Sequence, residues 1–226
     1  MNIMVIAPHP DDAEISMGGT IASLSSKGHN VTVLDITNGE PTPRGSVSIR
    51  LKEAKAAGKI LKIKKRIILD HPNRYLFDTI ECRKEIAGHI RNVRPEFLFI
   101  PNNIDAHPDH ISASSIGIAS RFYAKLTKTD IKGEPFYPPK LIFYLCSHMK
   151  LDIKPAFILP FTKREFNLKA KAVREYKSQF AHRKDRNVID FVETWNKYYG
   201  NLINSEYGEP FYTPEVIGLK DLTNLV

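Results

Sequence analysis

The chain has 226 residues, of which 42% are hydrophobic, and this is enough for the core of one globular domain spanning residues 1–226. No apolar run approaches the roughly 18 residues that suggest a membrane span. The first residues, which turn acidic at Asp11, lack the basic region of a signal peptide. The two cysteines, Cys82 and Cys146, form no C-x-x-C pair, so we expect reduced thiols in a cytoplasmic protein.

The formal net charge of +8 has three explanations. A nucleic-acid-binding module is one, a lysine-rich solvated surface is the second, and an anionic small substrate is the third. Only residues 62–66 form a dense basic run, and no helix-turn-helix, zinc-finger or RNA-binding motif accompanies it. We therefore expect a small-molecule substrate, and we expect neither a nucleic-acid partner nor a membrane partner.

Short apolar runs alternate with longer amphipathic segments along the chain. In chain order, the pattern predicts a strand over residues 2–7, a helix over 13–27, a strand over 30–36, a helix over 47–61, a strand over 66–70, a helix over 79–93, a strand over 96–101, a helix over 108–126, strands over 140–145 and 156–159, and helices over 161–179 and 188–203. This alternation predicts a Rossmann-like α/β fold, a mostly parallel sheet flanked by helices. The tail, residues 207–226, is punctuated by glycine and proline, and we expect it to wrap the surface or to contact a partner subunit.

The first and fourth predicted strands each lead into a cluster of histidines and carboxylates. The segment His9-Pro10-Asp11-Asp12-Ala13-Glu14 follows the first strand, and His107-Pro108-Asp109-His110 begins six residues beyond the fourth. If the first four strands wind in the common order 3-2-1-4, the first and fourth are neighbours and a crevice opens at their carboxyl ends. Both motifs then belong to one active site at the C-terminal ends of strands 1 and 4.

Four of these side chains are candidate metal ligands: His9, Asp12, His107 and His110. Catalytic zinc commonly takes three protein ligands and keeps one position open for water. Asp11 lies between two candidates, where it could act on that water as a general base. Each motif alone could be a turn or a helix cap, but their convergence predicts a metal-dependent hydrolase. A metal phosphoesterase is an alternative, although it needs a carboxylate-rich site for two metals. A hydrolase of another amide or ester is a further alternative.

Three motifs stand out: Pro8-His9-Pro10-Asp11-Asp12-Ala13-Glu14, Gly18-Gly19-Thr20 and His107-Pro108-Asp109-His110. The first and the last are specific together, and the second is supporting. They resemble the signatures of the LmbE-like, or PIG-L, zinc-dependent N-acetylglucosamine deacetylases. Weaker agreement lies at Thr37-Asn38-Gly39-Glu40, Arg50-Leu51-Lys52-Glu53-Ala54 and Tyr176-Lys177-Ser178-Gln179-Phe180. The chain is most similar to the small bacterial branch, which includes bacillithiol-pathway deacetylases. The resemblance implies removal of the N-acetyl group from an N-acetylglucosamine-type conjugate, with release of acetate and a free amino sugar.

The resemblance implies roles for the residues of the two main motifs. Those that match the family's zinc ligands, for one ion per chain, are His9, Asp12 and His110. Another divalent metal also suits such a donor set. Those that match catalytic groups are Asp11 as the general base, His107 as the group that stabilises the oxyanion or protonates the amine, and Asp109 as the residue that orients a histidine.

The resemblance assigns substrate contacts with less precision. The residues that it implies as substrate contacts are Glu14, Arg50 and His182. Arg50 could instead form a surface ion pair with Glu53. His71 and His182 could both approach the site, whereas we expect His148 to be an ordinary polar histidine. Relatives imply a homo-oligomer, with a hexamer as one assembly.

Two departures from the family pattern leave the substrate open. Ala106 stands where relatives often carry arginine, and Asn73-Arg74-Tyr75 stands where they carry an Asp-Gly-Gly-like turn. A malate glycoside, a chitin disaccharide and an antibiotic or cell-envelope precursor all remain candidates. One set of aromatic residues could stack on a sugar, although core or subunit contacts are the favoured explanation: Trp195, Tyr198, Tyr199, Tyr207, Phe211 and Tyr212.

Overall fold

The computed structural model describes residues 1–149, 151–181 and 187–219. Its strands are β1 (Asn2–Ala7), β2 (Asn30–Thr37), β3 (Lys65–His71), β4 (Phe97–Pro101), β5 (Lys140–Tyr144), β6 (Phe157–Phe161) and β7 (Tyr207–Tyr212). Its helices are α1 (Asp12–Ser26), α2 (Val47–Ile60), α3 (Ile80–Val93), α4 (Pro108–Ala124), α5 (Lys163–Glu175), α6 (Lys177–Phe180) and α7 (Val188–Asn201). No helix in these ranges is long and apolar enough to cross a membrane.

The seven strands form one sheet in the order β3-β2-β1-β4-β5-β7-β6. Strands β1 to β5 pair in parallel, and β7 pairs antiparallel with both β5 and β6. The predicted α/β class, the mostly parallel sheet and the 3-2-1-4 order of the first four strands are confirmed. The adjacency of β1 and β4 places their carboxyl ends side by side, as the sequence predicts.

The sheet is covered on both faces because its central strands are apolar on both faces. Along β1, Ile3 and Val5 face one core together with helices α1, α2 and α5, whereas Met4 and Ile6 face the opposite core with α3 and α4. All four side chains are at most 1% exposed. The alternation follows from the two-residue period of a strand, and it leaves the strand ends as the place where polar side chains can gather.

Two expectations about the C-terminal part need correction. The tail does not simply wrap the surface, because its residues Tyr207–Tyr212 form β7, an internal strand between β5 and β6. The helix predicted over residues 161–179 is divided, since β6 extends to Phe161 and Thr162 caps α5 in a capping box with Glu165. Residues 220–226 lie outside the described part of the chain.

A buried carboxylate of β7, Glu209, connects this strand to α1 by hydrogen bonds and to α5 by an ion pair. Helix α1 is kinked at Met17, whose φ of −138° is not helical. Beyond the kink, the carboxylate of Glu209 accepts hydrogen bonds from the backbone N–H groups of Gly19 at 3.0 Å and Thr20 at 2.7 Å. The ammonium group of Lys169 donates to the same carboxylate at 2.5 Å, and both side chains are fully buried. This pair therefore holds α1, α5 and β7 together behind the strand ends.

Replacing Lys169 with methionine should reduce the free energy of unfolding by about 3–5 kcal/mol, because the carboxylate of Glu209 then stays buried without its counter-charge. Urea denaturation followed by circular dichroism measures the change. The matched control is Lys171→Met on the exposed side of the same helix, which should change stability by about 0.5 kcal/mol or less. Equal stability of the two variants would contradict a structural role for the pair.

Candidate metal centre and active site

The turn between β1 and α1 brings three polar side chains of the first motif into one place. The backbone of Asp11 has φ 118°, a conformation that is strained for a residue with a side chain. This turn allows the carboxylate of Asp12 to reach back and accept from the backbone N–H of His9 at 3.0 Å. Asp12 Oδ2 also lies 3.1 Å from His9 Nδ1. The strained turn therefore fixes His9 and Asp12 relative to each other.

The second motif completes a group of three donors. His110, in the first turn of α4, places its Nε2 at 3.4 Å from Asp12 Oδ2. The donor atoms of His9, Asp12 and His110 all lie within 4.8 Å of one another, and all three residues are buried. Tetrahedral zinc with bonds of about 2.0–2.2 Å requires donor separations of roughly 3.4 Å. The observed separations of 3.1 and 3.4 Å fit this requirement.

The buried Nε2 of His110 supports the same interpretation, because its contact with Asp12 at 3.4 Å is an ion-pair contact without a hydrogen bond. Within the described residues, His110 Nε2 has no hydrogen-bond partner although the residue is only 1% exposed. An unpaired buried polar atom is costly unless a ligand satisfies it. The residues present therefore fit a divalent metal ion held by two imidazoles and one carboxylate.

The buried carboxylates and imidazoles shift one another's protonation strongly. Burial alone would raise the pKa of Asp12, but His110 and His9 outweigh it and hold this pKa well below its usual range. Burial opposes the charge of His9, but hydrogen bonds with Asp109 and Asp12 raise its pKa to about 9. In the absence of metal, the imidazoles of His9 and His110, whose pKa values are both raised, thus carry the positive charge that balances the carboxylates. To hold a metal ion, each of these imidazoles would give up the proton on its ligating nitrogen, because a ligating imidazole must be neutral.

Asp105 is a member of the site that the sequence interpretation missed. Its carboxylate lies 2.6 Å from His110 Nδ1 and accepts from the backbone N–H groups of His107 at 3.1 Å and His148 at 2.8 Å. The side chain is fully buried. A carboxylate on the outer nitrogen of a ligating histidine fixes its ring orientation and tautomer. Its position two residues before His107 was the feature of the sequence that could have indicated this role.

Asp109 lies in contact with a histidine, as the resemblance implies, and that histidine is His9. Asp109 Oδ2 is 3.0 Å from His9 Nε2. The same carboxylate accepts from the backbone N–H groups of Arg74 at 2.6 Å and Leu76 at 3.2 Å. The loop after β3 is therefore fixed to the metal centre through Asp109, which explains how residues 73–76 reach the site.

His107 occupies the N-cap of α4 beside the three donors. Its Nδ1 accepts from the backbone N–H of Asp109 at 3.2 Å, and its ring stacks on His110 with centroids 4.7 Å apart. Burial and the charges of His110 and His9 lower the pKa of His107 to about 4. Because Nδ1 accepts a hydrogen bond, the neutral ring carries its proton on Nε2. His107 is therefore a neutral hydrogen-bond donor beside the metal centre.

Arg50 holds the turn that carries Asp11. Its guanidinium donates to the carbonyl oxygen of Pro10 at 2.6 and 3.0 Å and to Asp11 Oδ2 at 3.0 Å. The alternative ion pair with Glu53 is not formed, because Glu53 instead accepts from Ser178. Burial raises the pKa of Asp11 against the lowering effect of Arg50. Asp11 is thus poised to accept a proton at neutral pH.

The metal centre opens into a cavity of about 730 Å³. His9, Asp11, Asp12, His107 and His110 all line it. The cavity wall also includes Arg50, Asn73, Arg74, Cys146, His148 and Trp195. This volume lies within the range of small-molecule binding sites, about 300–1,000 Å³.

Four histidine and carboxylate assignments from the sequence need comment. Glu14 does not contact the cavity, because it is fully buried, pairs with Arg66 and accepts from Tyr176 at 3.0 Å. Its role is to neutralise a buried guanidinium, so the predicted substrate contact is corrected. His71 pairs with Glu85, and His148 lines the cavity instead of being an ordinary surface group. His182 lies outside the described residues.

Comparison with known proteins identifies the family of this chain. A family model described as PIG-L, GlcNAc-PI de-N-acetylase, matches residues 4–120. The diacetylchitobiose deacetylase of Thermococcus kodakarensis is 32% identical over 92% of this chain and 80% of its own length. A probable N-acetyl-alpha-D-glucosaminyl L-malate deacetylase 2 from Bacillus anthracis is 27% identical over 80% of this chain and 82% of its own length.

A solved structure shares the fold of this chain. A conserved protein from Thermus thermophilus is 34% identical and superposes with a TM-score of 0.88 over 97% of each chain. The curated relatives are deacetylases that act on N-acetylglucosamine-type compounds, so the predicted family is confirmed and a phosphoesterase is not favoured. The chain belongs to the PIG-L, or LmbE-like, family of deacetylases.

Proposed function

We propose that this protein removes the N-acetyl group from an N-acetylglucosamine-type conjugate, releasing acetate and a free amino sugar. The observation that carries the proposal is the convergence of His9, Asp12 and His110 with Asp11 and His107 at one end of a single cavity. We propose one zinc ion per chain as the metal, held by His9, Asp12 and His110, because two imidazoles and a carboxylate are a common zinc donor set.

The residues of the site divide the reaction between them. When bound, a divalent ion polarises the acetamide carbonyl and makes water a stronger acid. Asp11 takes the proton of the attacking water and later delivers it to the departing amine, so the amine leaves neutral. His107 donates a hydrogen bond from Nε2 to the carbonyl oxygen as that oxygen becomes negative, and one such donor contributes about 3–4 kcal/mol. Asp105 and Asp109 are positioning residues for His110 and His9.

The substrate, the cellular compartment and the assembly are each proposed from a separate observation. An N-acetylated disaccharide such as diacetylchitobiose is the first substrate to test, because the relative named for it has a higher identity than the malate deacetylase. Arg50 lines the cavity and is proposed to contact the sugar or its partner group. Two free thiols favour a reducing cytoplasm. Exposed apolar side chains such as Tyr75 and Phe77 favour a homo-oligomer, with a hexamer as one assembly.

Removal of the metal should abolish acetate release from diacetylchitobiose, and zinc should restore it at one ion per chain. Chelator-treated and zinc-restored protein are assayed side by side for acetate, with metal content measured in parallel. Release of phosphate from phosphate esters, or a need for two ions per chain, would instead support the phosphoesterase alternative.

Asp11→Asn should lower kcat by about 10²–10⁴-fold, because the amide cannot accept the proton of water. Zinc affinity should stay within a few-fold of the wild-type value, since Asp11 is not one of the three donors. His110→Ala should instead lose the bound metal, because it removes one of the three donors. Competition with a chromophoric chelator measures affinity, and near-wild-type activity of Asp11→Asn would make the assignment of the base wrong.

Asp105→Asn should weaken zinc binding by about 10- to 100-fold, as outer-shell substitutions typically do. The physical reason is that an amide no longer fixes the tautomer of His110 by accepting its Nδ1–H with a full negative charge. The matched control is Asp152→Asn, an exposed carboxylate on the wall of the same cavity. Equal zinc affinities of the two variants would show that Asp105 does not support metal binding.

A further inference from the structure

The cavity extends beyond the polar end at which the metal donors gather. A volume of about 730 Å³ exceeds what the acetylated ring of one amino sugar fills, since pockets of about 300–1,000 Å³ enclose drug-sized ligands. Part of its wall is apolar and comes from the start of α7 and the segment after β5: Leu151, Val188, Phe191, Val192 and Trp195. Something other than the acetamide must therefore occupy this part.

Trp195 separates from the other C-terminal aromatic residues. Tyr199, Tyr207 and Phe211 are at most 4% exposed and belong to the interior, whereas Tyr198 is 56% exposed. Trp195 is half-buried and lines the cavity. Because Trp195 lines the cavity, sugar stacking, the other explanation that the sequence offers for this set, applies to this residue.

The ring of Trp195 is held in a fixed orientation. Tyr199 packs against it in a T-shaped arrangement, with a centroid distance of 5.0 Å and an interplanar angle of 73°. Phe191, one helical turn earlier, stacks alongside it with centroids 6.2 Å apart and planes 21° apart. Residues four apart share a helical face, so the two rings form one aromatic wall of the cavity. We call Phe191 and Trp195 the aromatic wall.

We infer that the aromatic wall is a second sugar subsite, and that the substrate is an oligosaccharide whose second pyranose ring stacks on Trp195. One face of a pyranose presents C–H groups, which pack against the negative face of an aromatic ring, while its hydroxyl groups remain at the rim. An acyclic acid offers no such face. The inference rests on the proposed function, because it extends the substrate of the same site from one ring to two.

Kinetics of two substrates test the subsite in the zinc-loaded enzyme. For Trp195→Ala, kcat/KM for N,N′-diacetylchitobiose should fall about tenfold or more through KM, since a stacked ring contributes its area plus an aromatic contact. The value for N-acetylglucosamine should change less than about twofold, because this monosaccharide lacks the second ring that is proposed to stack on the wall. Trp195→Phe should retain most of the wild-type preference for the disaccharide.

The matched control is Tyr198→Ala, an exposed aromatic residue on the same helix that does not line the cavity. It should leave both substrates within about twofold of wild type. An equal loss on both substrates in Trp195→Ala, or no loss on either, would overturn the second subsite while the deacetylase activity itself stood.

Tryptophan fluorescence gives a readout that does not require turnover, because Trp195 is the only tryptophan in the sequence. Titration of Asp11→Asn with diacetylchitobiose should change the emission and saturate, whereas N-acetylglucosamine should leave it unchanged. A saturable change without acetate release by the wild type would support the subsite and reject the proposed function. An unchanged emission at saturating disaccharide would reject the subsite.

Discussion

Parallel pairing of β1 with β4 is the constraint on which the site depends. Ile3, Met4 and Val5 pair in register with Phe97, Leu98 and Phe99, so both strands end at the same edge of the sheet. Helix α1 then covers one face and α4 covers the other. A topological switch of this kind opens a crevice, and His9 and His110 approach it from two sides. A one-residue slip in this pairing would separate the donors that come from the two motifs.

Contacts from surrounding residues then position the donors of the candidate metal centre in this crevice. Each of the three donors is held from behind: His110 by Asp105, His9 by Asp109, and Asp12 by the thiol of Cys146 at 3.4 Å. Four buried carboxylates around three imidazoles would repel one another without positive charge between them, so the pocket favours a cation. The same carboxylates tie the loops after β3, β4 and β5 to the site, which couples the shape of the substrate cavity to the geometry of the donors.

The sequence predicts the parts of the fold that depend on local pattern. Periodicity places β1 to β5 and their helices, and the motifs identify His9, Asp12 and His110. It does not predict β7, because Gly208 and Pro210 resemble a turn, whereas the strand depends on its pairing with β5 and β6 and on the buried contact of Glu209 with Lys169. It also misassigns Glu14, whose partner Arg66 lies 52 residues away and becomes its neighbour only through the pairing of β2 with β3. The roles of Asp105 and Trp195 likewise depend on tertiary geometry.

The central claim is that one metal ion lies between the ends of β1 and β4. Anomalous scattering from crystals of zinc-loaded protein, recorded on both sides of the zinc absorption edge, tests it most directly. We predict one peak per chain, bonded to His9, Asp12 and His110 at about 2.0–2.2 Å. Three results would contradict a single metal ion held by His9, Asp12 and His110. They are a peak at Asp105 and His148, a pair of peaks bridged by carboxylates, and no peak between the two motifs.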